Sequence, residues 1–266
     1  MNSNKPSVRG LIHERQSLEK FKLDFIAPAT RLQPIISRFW HVSWDLPDGE
    51  TYTQTNLPFP VQHLVIDPDK GSGLYGCTSG AFSYELTGKG SVLGARLLPG
   101  AARTLTSRSI ATTTDSMICF RDIFEIESDE FETLLSGDLP ELVIKLSKII
   151  SDHALPISSH MKLARKMVEF IEEQDALTDL SSLSSAFDLS TRQIQRIFQD
   201  YIGVSPKWVI DRYRMFEALD ALNEGKDLDL AQLALRLDYA DQAHFSHQFK
   251  KLTGQSPKKY LKAQVR

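Results

Sequence analysis

LSSAFDLSTRQIQRIFQDYIGVSP spans residues 183–206, and LALRLDYADQAHFSHQFKKLTGQSP spans residues 233–257. The two stretches are copies of one unit. Asp188 corresponds to Asp238 at an offset of 50. Phe198 corresponds to Phe249, Gly203 to Gly254 and Ser205-Pro206 to Ser256-Pro257 at an offset of 51, so one residue is inserted at the turn. Each copy opens with an apolar helix end (Ala186-Phe187, then Leu235 and Leu237) and breaks at a tight turn. It restarts at a residue able to accept hydrogen bonds from the first free amides of a new helix, Ser190 in one copy and Asp241 in the other. The new helix is apolar on one side, with Ile194, Ile197 and Phe198 in the first copy and Phe245 and Phe249 in the second. Its other side carries Arg192, Gln193, Gln195 and Arg196, then Gln242, His244, Ser246 and His247. Gly203 and Gly254 stand where a left-handed residue ends a helix. The Ser-Pro after each supplies a cap and a first-turn proline for the helix that follows.

Helix, tight turn and polar-faced helix is the layout of a helix-turn-helix, whose second helix enters the major groove of DNA. Arg and Gln are the side chains best suited to bidentate contact with guanine and adenine edges. One such helix is ordinary solvated surface; two copies with matching caps, stops and Ser-Pro starts predict two DNA readers, at about 180–202 and 230–253. Between them, Pro206 to about Leu222 predicts a helix of some 17 residues, about 25 Å long. That spacer suits two readers on one face of B-DNA about 34 Å apart.

At these residues the sequence resembles the AraC/XylS family of bacterial transcription regulators. DYADQAHFSHQFKKLTGQSPKKYLK is similar to the family signature, and LSTRQIQRIFQDYIGVSP to the family's first unit. The resemblance covers about residues 160–266. It implies a domain with two helix-turn-helix units that binds double-stranded promoter DNA, with RNA polymerase as a partner. By position it assigns base contacts to Arg192, Gln195 and Arg196 in the first reader, and to Gln242, Ala243, Ser246 and His247 in the second. Asp238 departs from the family's usual Gly, His247 and Leu261 from its common Arg, and Ala243 cannot hydrogen-bond a base. Ser190 and Gln193 are further candidate DNA-binding residues, as are Lys250 and Lys251; with Lys258 and Lys259 the lysines read as a phosphate clamp.

Charge supports this reading locally. The chain carries a formal net charge of -3, and residues 160–266 hold 16 Lys+Arg against 15 Asp+Glu. From Gln242 to Arg266, however, there are six basic residues and no acidic one, and a phosphate-facing surface needs one sign on one face more than a basic total.

Upstream the texture changes. From about Phe21 to Phe124, short apolar and β-branched runs such as RFWHVSW and HLVID alternate with turn signals at Pro47-Asp48-Gly49, Pro68 to Gly73 and Pro99-Gly100, which favours an antiparallel sandwich or barrel. FSYEL, TGKG and SVLGARLL read as a hairpin. A short helix capped by Ser128 is predicted through Leu135, and a second after Pro140 with Leu139, Leu142, Leu146 and Ile149 on one face. That stripe suits packing on the protein's own sheet or, as the alternative, a seam between two subunits in a homodimer. SDHALPISSH then reads as a linker, and MKLARKMVEFIEEQ as a helix with Leu163, Ala164, Met167, Val168 and Ile171 inward. The expected architecture is a two-domain α+β chain. A flexible arm at 1–20 precedes a β-rich sensing or dimerisation domain at 21–125, a helical connector and linker at 126–159, and an all-α DNA-binding domain at 160–266.

RFWHVSWDLP, LPFPVQHLVID and GSVLGARLLPGA are similar to an uncharacterised β-rich domain found ahead of this DNA-binding module in some regulators. Within it Trp40, Trp44, His63 and Arg96 are candidates for the pocket of a small-molecule effector, the aromatics for stacking and Arg96 for an anion; aromatics at strand spacing serve equally as core. His41 and His63 lack the clustering of a metal site, and Cys77 and Cys119 form no CxxC pair, so two reduced thiols are expected and neither metal nor cofactor. No apolar run approaches the ~20 residues of a membrane span, and MNSNKPSVRG lacks a secretory core, which together predict a cytoplasmic protein without membrane contact. No nucleophile or metal constellation favours the competing reading, a DNA-modifying enzyme. A third reading, a DNA-organising protein indifferent to sequence, differs in its binding alone.

Overall fold

The computed structural model describes residues 9–126, 131, 137–174, 179–224 and 228–264. Its N-terminal half is a lopsided β-sandwich. Six antiparallel strands form the larger sheet in the order β1-β2-β7-β4-β5-β8: β1 is Lys22–Ile26, β2 Ile36–Asp45, β4 His63–Ile66, β5 Gly73–Tyr75, β7 Lys89–Leu97 and β8 Met117–Cys119. β3 (Thr51–Asn56) and β6 (Phe82–Thr87) pair as a separate two-stranded sheet. Alternation along β2 explains the two layers. Phe39 is fully buried on one face, in a core with Leu64, Leu74, Ala95 and Leu97. Trp40, Val42 and Trp44 turn to the other face, where Leu86, Tyr52 and Tyr84 of the small sheet cover them. The two indoles lie against Gly94 and Gly90 of β7, where any Cβ would fall within 2.4 Å of a ring atom.

The structure corrects the expected hairpin at 82–97. β6 pairs with β3, whereas β7 pairs with β2 and β4, so the chain crosses from the small sheet to the large one at Gly88 (φ 52°). Strand periodicity and a Gly turn were both present, but pairing partners are a tertiary choice that the turn alone does not make.

The expected loose arm is also corrected over its described part. Residues 9–20 hold a helical turn, α1 (Glu14–Ser17), with Ile12 and Ser17 buried, and Ile12 donates its amide to the Thr55 carbonyl at 3.1 Å. The helix expected at Ser128–Leu135 lies largely outside the described residues. After α2 (Phe120–Phe124) comes α3 (Leu139–His153), capped by Asp138, whose carboxylate accepts from the Glu141 amide at 3.0 Å. Leu146 and Ile150 are fully buried in the chain's own β-domain core, with Leu139, Leu142 and Ile149 packed against it. The stripe therefore packs on the chain's own sheet, the first of its two readings, with Leu146 sealed and Leu139, Leu142 and Ile149 half-buried.

The second half is helical: α4 (Ser159–Glu173), α5 (Leu180–Phe187), α6 (Thr191–Ile197) running into a π-helical turn at Phe198–Ile202, α7 (Pro206–Asn223), α8 (Leu230–Arg236), α9 (Gln242–Thr253) and α10 (Pro257–Gln264). α7 is wrapped by the rest and buries Val209, Ile210, Tyr213, Met215, Phe216, Leu219 and Leu222. Its hydrophobic side chains point all round, as they must in a central helix. The same core takes in Ile12, Leu57 and Cys77 from the β-domain, so the two halves share one apolar interior.

Candidate nucleic-acid interface

Both repeats fold as helix, tight turn, helix. α5 and α6 form the first unit, α8 and α9 the second. The turns rest on matched residues: Asp188 (φ 50°) and Asp238 (φ 58°) both adopt the left-handed conformation. That explains how Asp238 serves where the family resemblance led one to expect Gly: Asp is one of the few side chains that visits this region, at some cost. Asp238 also accepts from Arg214 of α7 at 2.7 Å. No partner is seen for the Asp188 carboxylate among the described residues. Asp188→Gly is therefore expected to stabilise the chain by about 0.5–1 kcal/mol through relief of that strain. Urea unfolding of the full chain checks it, and a loss of stability would mean that Asp188 has a compensating role.

The caps hold the reading helices in place. Ser190 Oγ accepts from the Gln193 amide at 3.4 Å while Gln193 Oε1 accepts from the Ser190 amide at 2.9 Å, a reciprocal capping box. The Gln193 carbonyl is thus turned back on the helix start, leaving only its amide NH2 for a ligand. Asp241 accepts from the His244 amide at 2.7 Å to start α9. Gly203 (φ 90°) and Gly254 (φ 79°) end the units, and Ser205 caps α7 through the Trp208 amide at 3.1 Å.

With Ile194, Phe198, Phe245 and Phe249 fully buried, the opposite faces are set outward. Arg192, Gln195 and Arg196 are exposed on α6; Ala243, His247, Lys250 and Lys251 are exposed on α9, where Gln242 and Ser246 are half-buried; Lys258 and Lys259 are exposed on α10. The structure thus brings Arg192, Gln195 and Arg196 onto α6, and Gln242, Ala243, Ser246, His247, Lys250 and Lys251 onto α9, on the sides of the helices left outside by their buried residues. α7, 18 residues long, spans about 27 Å between the units.

Sequence reasoning missed the seam that fixes this interface to the β-domain. Gln62, fully buried, donates to the Ile202 carbonyl at 2.8 Å, and Thr114 Oγ1 donates to the Gly203 carbonyl at 2.6 Å. Ser109 Oγ donates to Asp200 at 3.0 Å, and Phe59 stacks on Phe216 at 4.3 Å between centroids. Arg212, only 2% exposed, lies over Trp208 and points toward the Thr78 and Ser79 carbonyls. The second unit is tied by the N-terminal segment. Arg9 forms ion pairs with Glu217 and Asp220, His13 stacks on Tyr260 at 5.0 Å, and Gln255 Nε2 donates to His13 at 2.6 Å. None of these residues forms a motif; each pairs groups far apart in the chain.

Of the candidate ligand residues, Trp40, His63 and Arg96 come together. Trp40 Nε1 donates to His63 Nδ1 at 2.9 Å, and His63 stands opposite Arg96 in the β4–β7 register. Trp44 is apart from them, in the core against Tyr84, its Nε1 donating to the Thr87 carbonyl. Burial, then the Arg96 and Arg38 charges, push His63 down to about 3. Burial and Arg38 likewise pull Arg96 down to about 10. Cys77 is buried at the seam and its thiol is pushed up to about 12 by burial; Cys119 is exposed.

The depressed His63 has a consequence for stability. The unfolded chain protonates this histidine at its ordinary 6.5 but the folded chain only near 3, so stability falls as pH drops through that window. Burial of His13 and His41 acts in the same direction. Wild type should lose up to about 1.4 kcal/mol per pH unit more than His63→Gln between pH ~6 and ~4. Urea unfolding across that range reads it, and parallel curves for the two proteins would refute the assignment.

Comparison with known proteins finds matches to both halves of the chain. A family model described as a helix-turn-helix domain matches residues 183–263, and one described as a domain of unknown function (DUF6597) matches residues 24–119. The HTH-type transcriptional activator RhaS of Pectobacterium carotovorum is 32% identical over 77 residues, 29% of this chain and 27% of that protein. The probable transcription factor PqrA of Proteus vulgaris is 30% identical over 81 residues, 30% of this chain and 66% of that protein. The chain thus matches about a quarter of the length of RhaS. Among solved structures, the C-terminal domain of AraT, a response regulator from Geobacillus stearothermophilus, overlaps 40% of this chain and 88% of its own at 25% identity and TM-score 0.36. ToxT from Vibrio cholerae overlaps 91% of this chain and 98% of its own at 12% identity and TM-score 0.39.

Proposed function

We propose that this chain, whose residues 183–263 form an AraC-type helix-turn-helix domain, is a sequence-specific transcription regulator that reads double-stranded promoter DNA with α6 and α9. The observation that carries the reading is the pair of exposed polar helix faces held on one core by α7. Arg192, Gln195 and Arg196 supply base contacts under the first reader, and Ser190 and Gln193 set that helix's start. Gln242, Ser246 and His247 face the second groove, with Lys250 and Lys251 on phosphate.

The β-domain acts as the controlling half. Its seam with Ile202 and Gly203 bears on the first unit, and the contacts of Arg9 and His13 bear on α7 and the second. A small-molecule effector or a partner that shifts either set of contacts changes how the two readers meet DNA. RNA polymerase as partner and a cytoplasmic location follow from the family resemblance, and the protein works by binding, with no reaction of its own. Among the described residues no helix is long and apolar enough to cross a membrane.

Selection from a random duplex pool with the full chain, followed by affinity measurement on selected and scrambled duplexes, tests the proposal. A selected sequence bound at least ~10³-fold more tightly than scrambled DNA is expected. Equal affinity for both would make the protein a DNA-organising one.

A further inference from the structure

The register of the large sheet sets Arg38 of β2 opposite Arg96 of β7, and Arg96 opposite His63 of β4. Three basic residue types therefore stand in one row across three neighbouring strands, on the face that carries Trp40. Like charges placed directly opposite each other on adjacent strands repel and cost stability. Each guanidinium rests on an aromatic ring, Arg38 on Phe25 at 4.6 Å and Arg96 on Phe59 at 4.1 Å. Neither has a hydrogen-bond acceptor among the described residues. Trp40 donates to His63 Nδ1, so the proton of the neutral ring sits on Nε2, which likewise meets no acceptor among them. The carboxylate felt by Arg96 is Glu172, which is engaged by the Tyr213 hydroxyl at 3.2 Å. Both arginines and His63 are half-buried, so the row is desolvated without being sealed.

We infer that this row is a binding site for a small oxyanion, a carboxylate or phosphate group on a compact molecule, held by the Arg38 and Arg96 guanidinium groups and the His63 Nε2–H. A planar guanidinium pair matches the oxygens of either group, and an anion between them turns the repulsion of the row into attraction. Phe25 and Phe59 supply apolar walls for the body of the molecule. The site also adjoins the seam: Phe59, under Arg96, stacks on Phe216 of α7, and Arg9 lies over Phe216 at 5.3 Å. An anion that fixes Arg96 therefore bears on the helix that spaces the two readers. This coupling rests on the proposed DNA-binding role; the site itself does not.

Thermal unfolding of the full chain is measured in graded sodium phosphate, citrate and hexanoate, each against sodium chloride of matched ionic strength. A saturable rise in the midpoint with at least one of them, not reproduced by chloride, is expected, together with a shift of the His63 Nε2 resonance in ¹⁵N-labelled protein. Which of the salts acts tells phosphate from carboxylate. Arg38→Gln should abolish the rise, and in plain buffer its midpoint should be no lower than wild type, because one of two facing charges has gone. No saturable response to any of the three overturns the site, as does a response that survives in Arg38→Gln or a variant that is destabilised without anion. DNA affinity is then read by fluorescence anisotropy with the active anion present. A several-fold change supports the coupling, and an unchanged affinity removes the coupling while leaving the site. Absence of any DNA binding refutes the proposed function without touching the midpoint result.

Discussion

Gly203→Ala is expected to destabilise the full chain by about 2–4 kcal/mol, and Gly254→Ala, at the matching position of the second repeat, by only about 1. Both glycines have positive φ, 90° and 79°, so each substitution forces a side chain into the left-handed region. The surroundings differ. A Cβ on Gly203 would lie 2.9 Å from the Ile110 carbonyl oxygen and 3.1 Å from its Cγ2, whereas one on Gly254 would meet nothing within 4 Å. Ile110 is fully buried in a 3-10 turn of the β-domain, and Thr114, one residue past that turn, donates to the Gly203 carbonyl. The backbone there cannot give way without loosening the first reader from the seam. Denaturant unfolding of both variants reads the difference. Equal losses would show that the seam does not press on Gly203, and would weaken the case that the β-domain controls the first unit.

The same pair of glycines shows where sequence was informative. Their role as helix stops, the Ser-Pro starts, the Ser190 and Asp241 caps and the inward faces of α6 and α9 all depend on residues within a few positions of one another, and all are found in the structure. The β-rich character of residues 22–119 was legible for the same reason, since turn residues and alternation are local. Strand partners were not: β6 leaves β7 for β3 although the sequence between them looks like a hairpin turn. Nor was the seam legible, because Gln62 meets Ile202 and Arg9 meets Glu217 across 140 and 208 residues. Asp188 and Asp238 lie between these cases. Their matched positions were visible, but that both adopt positive φ, and that Asp238 pairs with Arg214, is decided by the packing of α7 against the turn. Trp40 and His63 could have been linked only by knowing the strand order β2-β7-β4, which places them two strands apart on one face.

The larger effect on function should come from the first reader. Arg192, Gln195 and Arg196 are exposed on one face of α6, which begins at a reciprocal cap and is fastened at its far end to the β-domain. α9 offers Gln242, half-buried, beside Ala243, Ser246 and His247, and then a run of lysines. On the proposed reading, three side chains able to read base edges would face one groove, against one bidentate candidate in the other. Arg196→Ala is therefore expected to cost about 1–3 kcal/mol on the selected duplex, roughly 5- to 150-fold in affinity, and far less on scrambled DNA. Lys250→Ala together with Lys251→Ala should weaken both duplexes alike and lower the salt slope by about two counterions, the mark of phosphate contacts. His247→Arg should act in the opposite sense, steepening the slope by about one. Affinity measured against salt on both duplexes separates these cases. If Arg196→Ala weakens selected and scrambled DNA equally, Arg196 holds phosphate and the half-site under α6 carries no more sequence information than the one under α9. A larger loss of preference from Gln242→Ala than from Arg196→Ala would assign the specificity to the second reader instead.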